Sequence, residues 1–326
     1  MPSIITSTIK LTGGDYSSIV AWEAAKQGDI TAGGSDQIQQ AECYASVVND
    51  AGVAIDGWTT DTTHYLRIYT PIGERHTNKT GTGYMIQSSG FVSAITIAEE
   101  NVRIEGIAFN TGVFPQTIVD MTASGTCDIR IDDCFLDGSA SSSFSAMRAI
   151  AGSGTWKISN TTILKSAEYG VNWNPGGGTL YFYNNSLVGC GTLAGGFFGI
   201  LRTSGTVVAK NNLNDTTTGS GSNAATGGWS GTFDGASTNN HSTDGTGPAT
   251  NLKSGTPTYV NLAGGDPSLN ASDTSCKDQG IDLSADSNLV ISDDIVGTSR
   301  PQNGTYDIGS FEVITISNIL MGDGLN

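Results

Sequence analysis

Apolar and polar residues alternate in short bursts along the middle of this chain, and five of the bursts align. They read VRIEGIAF from Val102, IRIDDCFL from Ile129, WKISNTTI from Trp156, LYFYNNSL from Leu180 and VVAKNNLN from Val207, with starts 27, 27, 24 and 27 residues apart. The first and third positions are mostly apolar (Val102/Ile104, Ile129/Ile131, Trp156/Ile158, Leu180/Phe182, Val207/Ala209). That two-residue period is the signature of a strand with one face buried. The fifth position holds Gly106, Asp133, Asn160, Asn184 and Asn211, residue types that tolerate a left-handed backbone and make turns. Apolar residues resume at Ile107/Phe109, Cys134/Leu136, Ile163 and Leu187, while in the last burst Leu213 falls one position early.

A repeat of this length fits one coil of a parallel β-helix, three short strands joined by turns. Coils stack ~4.8 Å apart, so like residues form columns, with apolar columns inside and asparagine ladders at the bends. The Leu-x-x-Leu-x-Leu pattern of a leucine-rich repeat is absent. The fold predicted is all-β, a right-handed parallel β-helix in one domain over 1–326. An N-terminal cap occupies 1–40, coils and loops 41–258, and C-terminal coils with a closing motif 259–326. In GGDYSSIVAWEAAKQGD, Asp15 or Ser17 is a candidate N-cap, Ile19, Ala21, Trp22 and Ala25 form an apolar stripe, and Gly28 is a stop signal. This predicts a helix over about 16–28, laid across the open end of the solenoid where it covers unpaired backbone. Runs such as HYLRIYTP, GYMIQSS and SAITIA make 41–98 a set of irregular early coils, and Gly, Ser, Thr and Asn dominate 216–258, a long excursion or loose late coils.

Charge narrows the partners. With 15 basic and 31 acidic residues the chain carries −16, which disfavours nucleic acid and membrane insertion, and no stretch approaches the ~20 apolar residues of a membrane span. The N-terminal MPSIITSTIK lacks the basic and apolar regions of a secretory signal. Cys43, Cys127, Cys134, Cys190 and Cys276 are widely spread and odd in number, so they read as buried free thiols and not as a disulfide or zinc framework. His64, His76 and His241 show no metal or triad spacing.

Near the C-terminus, DIVGTSRPQNGTYDIGSFE (Asp294–Glu312) follows a D-I-x-G-x-x-R-P…D-I-G-x-x-E pattern. In Asp294, Ile295, Gly297, Arg300, Pro301, Asp307, Ile308, Gly309 and Glu312 it resembles the closing motif of a large group of bacterial and phage parallel β-helix proteins of pectate-lyase-like fold. The resemblance covers roughly the last 70 residues, and the N-terminal half also looks like phage-encoded proteins. The tail VITISNILMGDGLN departs from that pattern. Physically the motif reads as a lid: Pro301 ends strand pairing, Arg300 can pair with Asp293, Asp294 or Asp307, and Tyr306, Ile308 and Phe311 give apolar cover. Calcium is a lesser reading, through Asp293, Asp294, Asn303 and Asp307, because the spacing is not that of a recognised calcium loop.

The outward positions of the repeat offer one candidate active site. The second position stacks Arg103, Arg130 and Lys157, and the fourth stacks Glu105 and Asp132. As an active site, Arg103, Glu105, Arg130 and Asp132 would serve a polysaccharide lyase or hydrolase. As surface structure they would form a lattice of weak ion pairs, the reading favoured by the regular opposite-sign spacing. Trp58, Trp173 and Trp229 are available to stack on sugars, although burial is the commoner fate of Trp. The resemblance implies a phage virion component: a head decoration, spike or fibre-like protein meeting capsid or tail partners, with a homotrimer and surface glycans as further partners. A bacterial surface adhesin is the extracellular alternative.

Overall fold

A computed structural model describes residues 1–45, 50–88, 90–112, 116–139, 145–191, 197–216 and 227–314. Part of the 216–258 excursion and residues 315–326 of the tail therefore lie outside the described residues. The chain is an all-β parallel solenoid with three long sheets of eight, seven and eight strands, each strand pairing with its counterpart in the coils before and after. Sheet I holds the longest strands, among them Asn101–Glu105, Thr126–Asp132, Ser153–Ser159, Thr179–Tyr183 and Thr206–Lys210. Sheet II follows the bend, with Ala108–Asn110, Phe135–Asp137, Thr162–Leu164, Ser186–Val188 and Leu213–Asp215. Sheet III closes each coil, with strands such as Val119–Met121, Ser145–Ala149 and Tyr169–Trp173.

The five aligned bursts are in register. Val102, Ile129, Trp156, Leu180 and Val207 pair in one row of sheet I, and Ile104, Ile131, Ile158, Phe182 and Ala209 in another. All ten are buried in one continuous core. Gly106, Asp133, Asn160, Asn184 and Asn211 all adopt positive φ, between 45° and 69°, and turn the chain from sheet I into sheet II.

At the bend itself Asn211 Nδ2 donates to Asn184 Oδ1 (3.3 Å), and a second, longer Asn ladder lies one residue further on. Asn185 Nδ2 donates to Asn212 Oδ1 (3.0 Å), Asn212 Nδ2 to Asn240 Oδ1 (2.9 Å), and the same amides reach the carbonyls of Ile158 and Phe182. Doubled asparagines at 184–185, 211–212 and 239–240 are the signal: the first bends the backbone, and the second carries the longer run of amide bonds between coils. Leu213 is also no register slip. Leu213 pairs with Ser186, and Asn214 takes the inward place of Leu187. Leu213 points outward instead, under Leu269, Cys276 and Ile308. The early coils pair regularly too, since Gln37–Cys43 and Leu66–Tyr69 join sheet I in register.

The N-terminal helix spans Ile19–Lys26, shorter than 16–28, with Ser18 as N-cap accepting from the Ala21 amide and Gln27 as C-cap. Its buried face is Ile19, Trp22 and Glu23, whereas Ala25 is exposed. The helix touches the edge strands Ser3–Ile9 of sheet I and Val53–Ile55 of sheet III. Glu23 is buried to receive the indole of Trp58 (2.8 Å) and the amide of Asp56 (2.9 Å). All five cysteines are buried and unpaired, and Trp58, Trp173 and Trp229 are core residues out of reach of a sugar.

The C-terminal segment does not sit as a lid over the end of the solenoid. It runs along its flank and clads the bend and sheet II. Ser310 bonds Ser186 and Thr162, Ile281 N donates to Asn211 Oδ1 (2.9 Å), and Asn78 Nδ2 reaches Ser268 (3.0 Å). This cladding explains why Phe135–Asp137, Thr162–Leu164, Ser186–Val188 and Leu213–Asp215 are buried at every position and not alternately. Within the segment, Arg300 pairs with Glu312 (2.9 Å), not with an aspartate carboxylate, and donates to the carbonyls of Asp293, Asp307 and Gly309. Asp294 and Asp307 spend their oxygens on backbone amides of Val296, Thr298, Glu312, Asp278 and Val313. The Arg300–Pro301 bond is cis.

Candidate functional site

Sheet I leaves one outward face open, and its columns build a groove. Arg67, Arg103, Arg130 and Lys157 stand in consecutive register on four neighbouring strands. Strand spacing puts successive cations ~4.8 Å apart, a row ~14 Å long. All four line one cavity of about 370 Å³, together with Glu105 and Asp132. A second cavity of about 440 Å³ adjoins it through Arg130 and Lys157. Tyr65 forms part of the wall and lies under the Arg103 guanidinium, 3.3 Å from ring centre to carbon. At the other end the C-terminal segment crosses the face: Lys157 donates to the Asn288 carbonyl, Lys210 pairs with Asp286 (2.6 Å), and Leu283 and Ile291 pack on Tyr183 and Val208. The cation row ends where that segment begins.

The structure thus brings together Arg103, Glu105, Arg130 and Asp132, the residues singled out from the repeat. Their pairing differs from an in-coil lattice. Glu105 is held by Arg67 of the preceding coil through Nε (3.0 Å) and Nη2 (2.5 Å). Arg130 is held by Asp128 on its own strand (3.1 and 2.9 Å), and Arg103 reaches the same carboxylate at 3.4 Å. Burial pushes the Asp128 carboxyl up, but Arg130 and Arg103 pull it below its ordinary value. Burial and then the neighbouring Arg130 lower both Arg103 and Lys157, the expected effect of stacking like charges in one column. Sequence reasoning missed Arg67 and Asp128. The alternation Leu66/Ile68 in LRIY was the available signal for Arg67, hidden by the long insertion that follows it.

Asp132 is different. Among the described residues no lysine or arginine pairs with it; its Oδ1 accepts from the Ser159 hydroxyl at 2.7 Å. Burial raises its pKa to about 6; Ser159 opposes that rise, and Asp293 and Glu105 add to it. Arg75 lowers the Asp132 pKa slightly from a distance but is paired with Asp133. Asp133 is itself raised by burial first and by Asp132 second.

The remaining candidates stand apart from the groove. His76 is buried and bonded to the Asp133 carbonyl, His241 is buried in sheet II, and His64 bridges Asp36 and Asp61 at 2.8 Å each. Among the described residues no three His, Cys, Asp or Glu are grouped to hold a metal ion, and no helix is long and apolar enough to cross a membrane. No protein-family model matches this chain, and no curated protein matches it.

Proposed function

We propose that this protein is a glycan-engaging β-solenoid displayed on the surface of a phage virion, with the sheet I groove as its binding site for a linear acidic polysaccharide. The observation that carries the binding role is the in-register cation row Arg67–Arg103–Arg130–Lys157 on a chain of charge −16. A pyranose chain repeats at about the coil spacing, so consecutive acidic units match consecutive cations. Tyr65 and Tyr181 supply ring faces beside them. The virion setting rests on the resemblance of Asp294–Glu312 and on the low-charge Gly/Ser/Thr/Asn composition. Titrating the protein with acidic and neutral oligosaccharides tests the groove: acidic chains bind, and Arg130→Gln weakens binding at least tenfold. Mass spectrometry of purified phage particles tests the setting, and gel filtration tests a trimer.

A lyase or hydrolase is the second reading, favoured by one feature: Asp132, poised near neutrality one strand from Arg103 and two residues from Arg130. Against it, Glu105 is consumed by a two-point pair with Arg67, which leaves Asp132 without a second free carboxylate. New reducing ends or unsaturated products that disappear in Arg130→Gln would establish the enzyme.

A further inference from the structure

The groove holds four cations, and three of them already have acidic partners. Arg67 is spent on Glu105, and Arg103 and Arg130 share Asp128. Asp132 lies in the same cavity, two residues along the strand from Arg130, and belongs to none of these pairs. Every element packed around it contributes charge. Glu105 stands on the preceding strand, Arg130 on its own, Asp133 at the bend that follows, Arg75 on the loop after Pro71, and Asp293 on the C-terminal segment. Ser159 supplies a hydroxyl from the following strand. An anion seated on Arg130 would therefore face a carboxylate that makes no direct ion pair among the described residues, with Arg75 acting on it only from a distance.

We propose that Asp132 couples ligand binding in this groove to the uptake of one proton. The inference rests on the acidic-polysaccharide reading above and specifies how that site is regulated. Ionised, Asp132 repels a ligand carboxylate bound at Arg130. Neutral, it donates its O–H to that carboxylate, and the added proton comes from solvent. The burial that lifts Asp132 to about 6 puts the transition at mildly acidic pH. The ligand stays charged there, because uronate carboxyls are stronger acids.

Calorimetric titration of the whole chain with an oligouronate, from pH 5 to pH 8 and in buffers of different ionisation enthalpy, tests this. The association constant should fall by roughly tenfold per pH unit above 6, with about one proton taken up per ligand near pH 7. Asp132→Asn keeps the size of the side chain and should bind at pH 8 as tightly as the wild type at pH 5, without proton uptake. Ser159→Ala removes a donor that favours the ionised form, so the transition should move to higher pH. A flat wild-type profile, or a slope that survives in Asp132→Asn, would overturn the coupling while leaving the groove intact. If neither wild type nor Asp132→Asn, with native near-UV dichroism, binds an oligouronate or a sulfated oligosaccharide at any pH, the groove reading itself fails and the coupling with it.

Discussion

The stacked coils and the C-terminal segment that clads them are held together in opposite ways. In the coils most inward residues sit between apolar residues of the neighbouring strands, as Ile131 does between Ile104 and Ile158. The backbone ladder runs unbroken through all three sheets. Residues 259–313 have one short two-stranded pairing, Tyr259–Asn261 with Asp266–Leu269. Beyond it there is, among the described residues, a single bridge, Asp293 with Ser299, and scattered backbone bonds such as Ile308 N to Cys276 O and Gly309 N to Asn211 O. The side chains of Arg300, Asp294, Asp307 and Glu312 satisfy many of the backbone groups left over. Redundancy in the coils spreads the effect of a substitution over several neighbours. In the segment one residue secures many contacts, so its loss should be felt at once.

That contrast can be broken or sharpened by substitution. Arg300→Ala should have the largest effect, about 3–5 kcal/mol, because it leaves Glu312 buried without its cation and three carbonyls without a donor. Hydrogen exchange should then show the segment opening while the rows through Ile131 stay protected; uniform loss of protection would mean that segment and coils form one cooperative unit. Ile131→Ala should cost about 2–4 kcal/mol, and its effect should be confined to the core. Denaturant melts give the size, and an unchanged exchange pattern in residues 281–313 gives the separation.

Gly309→Ala should cost about 1–3 kcal/mol. Its φ is +104°, and a Cβ there would come within 2.6 Å of the Ser186 hydroxyl. The loss should come from undocking the segment from sheet II, so exposure of Leu213 and Cys276 is the measurable sign, the latter by thiol labelling.

The smallest effect is pH dependence. Burial raises Asp307 to about 7, and Glu312 adds to the rise. A carboxyl raised in the folded state contributes stability that is complete below its unfolded value near 4 and is lost as pH rises through about 7. Glu23 under the helix is also raised to about 7, by burial, so it acts in the same direction. Melting temperature should therefore increase by about 1–2 °C from pH 8 to pH 6.5. Below 6.5 the lowered His76 and His241, buried in their neutral forms, oppose the trend. Asp307→Asn should remove part of the increase; if it removes none, the knot around Arg300 does not titrate in this window.

By itself, the sequence determined the coil. A solenoid repeats one local environment at each step, so period-two alternation and a left-handed residue at one position specify strand, bend and register without distant information. That is why Val102, Ile129, Trp156, Leu180 and Val207 could be aligned from the pattern and then found in one row. The outward columns were legible as well, which brought Arg103, Glu105, Arg130 and Asp132 to one face. Tertiary structure alone decided what those charges meet. Glu105 is claimed by Arg67 from an earlier coil, Asp128 takes two arginines, and Asp132 is left unclaimed. It also decided where the segment around Arg300 lies, since Ser310 meets Ser186 across 124 positions and Thr162 across 148. Contacts at such separations leave no periodic trace in the chain; they follow from which surfaces remain uncovered once the coils have stacked.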